Sequence, residues 1–136
     1  MAKQSGLAWT TLSVDDSGGT PRDIRNDITN FDFATPRAVQ DITGIDKSAI
    51  ERLLLLADFS FTLNGVANFT ATTSAHAVLK TVSSTSVSRT VSIVVAAQTL
   101  NNECLITDYQ LTRSNSGELT WQAPGVLADG TVPTWS

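Results

Sequence analysis

Two stretches of the chain alternate regularly between apolar and polar residues. Over residues 57–65, the odd positions are apolar and the even positions are polar. Residues 85–95 alternate in the same way, with Arg89 as the one charged residue on the apolar side and Val94 as the one apolar residue on the polar side, and this strand is predicted to end near Gln98. Successive side chains of a strand point to opposite faces, so each stretch predicts a strand with one face on a core. The other face, rich in Ser and Thr, would meet water, as in an antiparallel sheet.

Shorter patterns predict four more strands, over residues 7–14, 26–34, 103–113 and 118–123. Asn101 and Asn102 predict the turn that precedes the third of these, and residues 114–117 predict a hairpin turn before the fourth. The alternation places two sets of side chains on shared faces. These sets are Leu105, Tyr109 and Leu111, and Leu119, Trp121 and Ala123.

One segment, residues 74–82, has the spacing of a helix. Ala75, Val78, Leu79 and Val82 lie at i, i+3, i+4 and i+7, which places them on one helical face. Thr73 or Ser74 can cap its N-terminus.

Residues 48–56 fit two structures. Ser48 and Glu51 match a capping box, which favours a helix, whereas the run of four leucines favours a strand buried on both faces. The alternation that begins at Ala57 continues backwards through Leu55 and Leu53, and on that ground we predict a strand.

Two segments are predicted to lie outside regular structure. Pro36 ends the preceding strand, and residues 35–47 are expected to form an extended loop, of the kind that serves a function or an interface. Residues 124–136 are expected to form a C-terminal arm ending in Trp135. An exposed aromatic side chain there would be unusual unless it docks on another surface.

Composition narrows the chemistry. The 136 residues fit a single domain, residues 1–136, and only 16% of them are charged. The net charge of −4 argues against a protein that grips nucleic acid through phosphates. One histidine and one cysteine cannot form an ordinary zinc site or an internal disulfide. No apolar leader and no membrane-length run are visible, so synthesis in a cytoplasm is expected.

No motif indicates catalysis. The sequence lacks a phosphate-binding glycine loop and a nucleophile elbow, and the Asp15-Asp16 pair does not complete a calcium loop. We therefore expect no enzyme activity, no catalytic residue, no metal and no cofactor. A small hydrolase using His76 as its base is the catalytic alternative.

Nearly the whole chain resembles the major tail tube proteins of long-tailed, non-contractile bacteriophages. The resemblance depends on the order and spacing of several segments rather than on one motif. These segments are FATPRAVQDITG at 33–44, SAIERL at 48–53, DFSFTLNGV at 58–66, TDYQL at 107–111, GELTW at 117–121 and DGTVPTW at 129–135.

The resemblance implies a mainly β fold, a two-sheet sandwich or barrel with one short flanking helix. It implies a structural virion protein whose hexameric rings stack into a hollow tail tube that conducts DNA into the host. The implied partners are other copies, the tape-measure protein and DNA in the lumen, and the tail terminator and distal tail proteins, with no membrane.

We assign individual residues to this role as hypotheses. Asp58, Ser60 and Thr62 are the candidate lumen-facing residues, although Asp58 fits a strand end or an interface equally well. The candidate contacts between subunits or rings are Arg37, Val39, Asp41 and Trp135. The alternative function is a β-sandwich module that binds carbohydrate or a receptor through Trp9 and Trp135.

Overall fold

A computed structural model describes residues 3–70 and 74–136 of the chain. The described residues form ten strands, one α-helix and two 3₁₀ turns, at Gly6–Ala8 and Arg25–Asp27. The strands are β1 (Trp9–Asp15), β2 (Pro21–Asp23), β3 (Ile28–Ala34), β4 (Arg37–Asp41), β5 (Arg52–Ala57), β6 (Ser60–Val66), β7 (Arg89–Val95), β8 (Gln98–Ile106), β9 (Gln110–Arg113) and β10 (Leu119–Leu127). The helix is α1 (Ala75–Leu79). The predicted mainly β fold with two sheets and one short helix is confirmed.

Eight strands form one antiparallel sheet in the order β2-β1-β7-β8-β10-β6-β3, with β9 paired to β10. Although β1 and β3 lie near opposite ends of this order, the Trp9 ring on β1 lies 5.2 Å from Phe31 and 6.0 Å from Phe33 on β3. The sheet therefore curls until its two ends pack across a shared aromatic core. Strands β4 and β5 form the second sheet, a separate hairpin.

The two alternating stretches form strands with the predicted buried face, β6 and β7, but both strands are shorter than predicted: β6 begins at Ser60 and β7 spans Arg89–Val95. Val87, predicted on the apolar face, lies outside β7 and is 40% exposed. Phe59, Phe61 and Leu63 are buried, and the intervening residues of β6 are only partly covered. Arg89 also faces the core and is 2% exposed. Its guanidinium donates to the carbonyls of Val78 and Asp15 and to the Thr81 hydroxyl, at 2.8, 3.1 and 3.0 Å.

Buried charges of opposite sign lie at the two ends of α1. The Asp27 carboxylate accepts from the Ala75 N–H at 2.8 Å at the N-terminal end, and Arg89 reaches the Val78 carbonyl at the C-terminal end. Both charges match the helix dipole. The predicted helix is confirmed over its central part, with Ser74 as its cap. Thr73, the alternative cap, lies outside the described residues.

The predicted turn at Asn101 and Asn102 is wrong. Both residues belong to β8, and the chain reverses instead at Ala96 and Ala97, between the paired residues Val95 and Gln98. The two alanines have φ of 50° and 67°, the positive values that a type I′ hairpin turn requires. Alanine is strained there by about 1 kcal/mol per residue, since its Cβ approaches the following carbonyl.

The residues predicted as one strand over 103–113 belong to two strands, β8 and β9. The prediction that Leu105 and Leu111 share one apolar face is therefore wrong. Leu105 pairs with Val126 on the outer face of the sheet, whereas Leu111 pairs with Trp121 on the inner face. The core residues of β8 here are Cys104 and Ile106. The arm is also shorter than predicted, because β10 continues through Pro124 to Leu127.

Candidate assembly surface

The β4–β5 hairpin projects from the domain. It replaces the extended loop predicted over residues 35–47, and it confirms a strand within residues 48–56. The hairpin continues β3 and β6 outward, and the bond from Asp58 N–H to the Pro36 carbonyl, at 2.9 Å, joins the two ladders at its base. We call residues 37–57 the projecting hairpin.

The projecting hairpin is held mainly by its own hydrogen bonds. Arg37 donates from Nε and Nη2 to the Leu55 carbonyl, at 3.2 and 2.7 Å. Near the tip, the Asp41 carboxylate accepts from the Thr43 hydroxyl and N–H at 2.6 and 2.9 Å, and these bonds lower the pKa of Asp41. The Thr43 hydroxyl also accepts from Glu51 N–H at 2.8 Å, which closes the tip.

Both faces of the projecting hairpin expose aliphatic side chains. Leu53 and Leu55 lie on one face of β5, and Leu54 and Leu56 lie on the other, 57% and 86% exposed. Every residue of β4 is exposed, as is every residue of β5 except Ala57. The leucine run, a pattern that suits a strand buried on both faces, is therefore exposed on both faces. The large aliphatic residues that the projecting hairpin exposes are Val39, Ile42, Ile45, Ile50, Leu53, Leu54, Leu55 and Leu56.

The outer face of β3, β6, β10 and β9 is polar and carries little charge. Pairing aligns one row of four amides across these strands, Asn30, Asn64, Gln122 and Gln110. The adjacent row is Asp32, Thr62 and Pro124. Among the paired outward positions of these described strands, Asp32 is the one ionisable side chain, and none is basic. We call this surface the polar face.

Ser60 and Thr62 lie on the polar face, at the middle strand β6. Asp58 does not share their strand. It lies in the connection between β5 and β6, exposed, and its carboxylate accepts from the Phe59 N–H at 2.8 Å. The structure thus places Asp58 at the base of the projecting hairpin and the other two residues on the adjoining sheet.

Arg37, Val39 and Asp41 all lie on β4, within the projecting hairpin. Trp135 lies apart from them, where it bridges to Leu100 and packs its ring 6.0 Å from Phe33. Because 44% of Trp135 remains exposed, its docking on its own chain leaves part of the ring available to another surface.

The two outer strands of the eight-stranded sheet differ as pairing edges. Strand β2 has three residues and begins with Pro21, which lacks an N–H. Strand β3 has seven residues, contains no proline and leaves one side without a partner strand in the described chain. Short edges with proline resist strand addition, and long regular edges favour it.

Residues considered for other functions have local partners. His76 Nδ1 lies 3.0 Å from the Tyr109 hydroxyl, and its ring contacts Phe69. Trp9 is half-buried against Phe31, with its indole N–H donating to the Thr11 carbonyl at 3.0 Å. Trp9 therefore does not present a flat exposed platform for sugars.

Residues 3–70 and 74–136 contain no group of three or more His, Cys, Asp or Glu arranged to hold a metal ion. In the same part of the chain, no helix has both the length and the apolar character needed to cross a bilayer.

The pairing of β4 with β5 into the projecting hairpin is not predicted from the sequence. A signal was available, because Pro36 and Gly44 bound a short segment that contains Val39 and Ile42, and the leucine run follows Gly44. The glycine and the charged residues within residues 43–47 favour a loop and made the pairing of the two segments hard to predict.

Comparison with known proteins gives structural matches only. No family model matches the chain, and no curated protein matches it. A chain from the virion of a native gene transfer agent (GTA) particle matches with a TM-score of 0.73 and 14% identity, over 98% of this chain and 99% of that one. A chain from the tail of an empty GTA particle, obtained by helical refinement with C6 symmetry, matches with a TM-score of 0.73 and 17% identity, over 98% of both chains. At these identities the likeness establishes a common fold.

Proposed function

We propose that this protein is a structural subunit of a phage-type tail, and that its copies form hexameric rings stacked into a hollow tube that conducts DNA. The observation that carries the proposal is the projecting hairpin, whose aliphatic side chains lack a cover in the described chain. A full-length fold match to a chain of a C6-symmetric GTA tail supports the same function. The protein would then be found in the virion.

The projecting hairpin needs a partner for energetic reasons. Its eight large aliphatic residues are exposed on both faces. Burying an exposed leucine or isoleucine contributes about 1.5–3 kcal/mol, and soluble monomers rarely leave large contiguous apolar patches open. Covering even half of these side chains against a neighbouring copy would therefore stabilise a repeated contact. Arg37, Val39 and Asp41 would lie within that contact.

The sheet edges favour growth in one direction. The proline at the start of β2 and its short length discourage pairing there, whereas β3 offers a longer edge without proline, regular from Asn30 to Ala34. A subunit with one receptive edge and a projecting hairpin beside it makes head-to-tail contacts, which close into rings when the rotation permits.

The polar face suits a channel through which DNA moves without being held. Its side chains are mainly amides and hydroxyls, and its one ionisable side chain at the paired outward positions is the acidic residue Asp32. A net charge of −4 per chain gives about −24 per six-membered ring, a field that repels phosphates. We propose that Ser60 and Thr62 face the lumen and that Asp58 lies where the lumen surface meets the hairpin contact. The tape-measure protein would occupy the same channel before DNA, and terminator and distal tail proteins would cap the tube.

The test changes the hairpin without touching the core. Replacing Leu54 and Leu56 by Asp on one exposed face should leave the melting temperature within about 2 °C of the original, since little burial is lost. The same variant should remain monomeric where the unmodified chain forms rings or tubes, as seen by sedimentation velocity and negative-stain microscopy. Val87→Asp, an exposed aliphatic residue outside the strands, is the matched control and should assemble normally.

Two results would reject the proposal. One is an unmodified chain that stays monomeric at millimolar concentration and forms no hollow particles. The other is a double variant that assembles as readily as the Val87→Asp control.

A further inference from the structure

The non-glycine residues of the described chain that have positive φ both lie in the turn between β7 and β8. Ala96 and Ala97 both have positive φ, and both are exposed. Asn-Gly is the favoured pair in such two-residue turns because it adopts these angles at low cost. Both alanines are exposed, so packing of their methyl groups in the core does not offset the strain of these angles. Strain kept at an exposed turn points to a contact outside the isolated chain.

Other exposed apolar groups lie beside this turn. The Ala96 N–H donates to the Ala8 carbonyl at 2.9 Å, which places the turn against the N-terminal 3₁₀ turn. Leu7 in that 3₁₀ turn is 93% exposed. We call Leu7, Ala96 and Ala97 the alanine-turn patch.

The alanine-turn patch lies at the end of the domain from which the projecting hairpin leaves. Val95, just before the turn, pairs with Trp9, and the Trp9 ring lies 6.0 Å from Phe33. Phe33 lies near the end of β3, four residues before β4 begins. The base of the projecting hairpin and the alanine-turn patch therefore lie at the same end of the domain, and α1 and the turn at Ser17 lie at the other end.

We propose that the alanine-turn patch is a contact surface for a second copy of this chain, with the two methyl groups fitting closely against the neighbour. The inference rests on the proposed self-assembly and adds a specific surface outside the hairpin. The small side chains permit close approach of the β7–β8 turn, and the absence of charge in the patch suits an apolar neighbour rather than a nucleic acid or a membrane surface.

The proposal predicts effects of opposite sign on folding and on assembly. Changing Ala96→Asn together with Ala97→Gly installs the favoured turn and should raise the melting temperature by about 4–8 °C. The same change replaces one methyl group of the contact by a larger polar amide and removes the other, and it should raise the critical concentration for assembly about tenfold. A merely structural turn would move only the melting temperature.

The experiment measures both quantities on the full chain. Calorimetry or circular dichroism gives the melting temperature, and sedimentation velocity over a concentration series gives the assembly threshold. Ser116→Asn, in the exposed hairpin turn at the other end of the domain, is the control and should leave the threshold unchanged.

The outcomes separate the two proposals. A more stable variant with a raised threshold supports the contact. If the unmodified chain assembles and the Asn-Gly variant assembles at the same concentration, the contact is wrong while self-assembly stands. If the unmodified chain does not assemble at any concentration, both proposals fail.

Discussion

The buried carboxylate of Asp27 provides a quantitative test of how α1 is attached. Asp27 is 4% exposed and accepts two hydrogen bonds, from Ala75 N–H at 2.8 Å and from Asn68 Nδ2 at 2.9 Å. The isosteric change Asp27→Asn keeps the volume but turns one acceptor into a donor. Asn68 cannot turn over to compensate, because its own carbonyl oxygen already accepts from the N–H and hydroxyl of Thr70.

The magnitude follows from what is lost. A hydrogen bond to a charged group contributes about 1.5–3 kcal/mol, and leaving its buried donor unpaired costs about 1–3 kcal/mol more. Removing the buried charge recovers part of this, since an amide is cheaper to desolvate than a carboxylate. We expect a net destabilisation of about 2 kcal/mol, which corresponds to a melting temperature lower by about 8 °C.

Urea unfolding followed by circular dichroism measures this free energy, and hydrogen exchange locates it. Amides of α1 should exchange faster in Asp27→Asn than in the original chain. Asp23→Asn is the control, because Asp23 is exposed and its contact with Arg25 N–H can be made by an amide oxygen. A free energy of unfolding within about 0.5 kcal/mol of the original, with unchanged exchange in α1, would refute the reasoning.

Two further predictions test the core. Gly125→Ala should destabilise the fold by about 1–3 kcal/mol, since a Cβ there would lie 2.2 Å from the Phe61 ring, whereas Gly6→Ala, with open space around it, should be neutral in the same unfolding assay. The Cys104 thiol should resist Ellman's reagent until the protein is unfolded, because burial raises its pKa from 9.0 to about 12. As pH rises through that interval the unfolded chain loses this proton and the folded chain keeps it, so stability should fall more steeply than in Cys104→Val. Rapid labelling of native protein would contradict this.

The sequence predicted the elements whose packing is decided locally. The alternation around Phe61 and Leu63 identified β6 and its buried face, and Arg89 was placed correctly on the core side of β7. Burial of one face fixes such a strand, because a shift of one residue would move every apolar side chain to water.

The errors arose where tertiary pairing overrides local preference. Asn101 and Asn102 are good turn residues, yet pairing with β7 holds them in β8 and moves the turn to two alanines. The face assigned to Leu105 failed because the chain interrupts its strand at residues 107–109 and resumes as β9. The local sequence indicates neither the displaced turn nor the interruption of the strand.

The candidate assembly surface was also predictable only where local pattern decides it. The Ser and Thr side chains of the polar face were read from alternation, but the alignment of amides from four strands requires the sheet register. For the projecting hairpin, the sequence predicts an extended loop over residues 35–47 and a strand within residues 48–56, but not the pairing of the two segments. A strand with two apolar faces looks the same in sequence whether its own chain covers it or another molecule does.

The continuity between β3–β6 and β4–β5 has a mechanical consequence. The chain from Ile28 to Val66 is one long ribbon, with the bond between Asp58 and Pro36 at the point where it leaves the domain. Pulling the tip away from the body loads the paired strands along their length, so many backbone bonds resist together instead of parting one after another. Tension applied at the outer half therefore reaches Phe59 and Phe61 directly, and the hydrophobic interior would act as the anchor for whatever grips the far end.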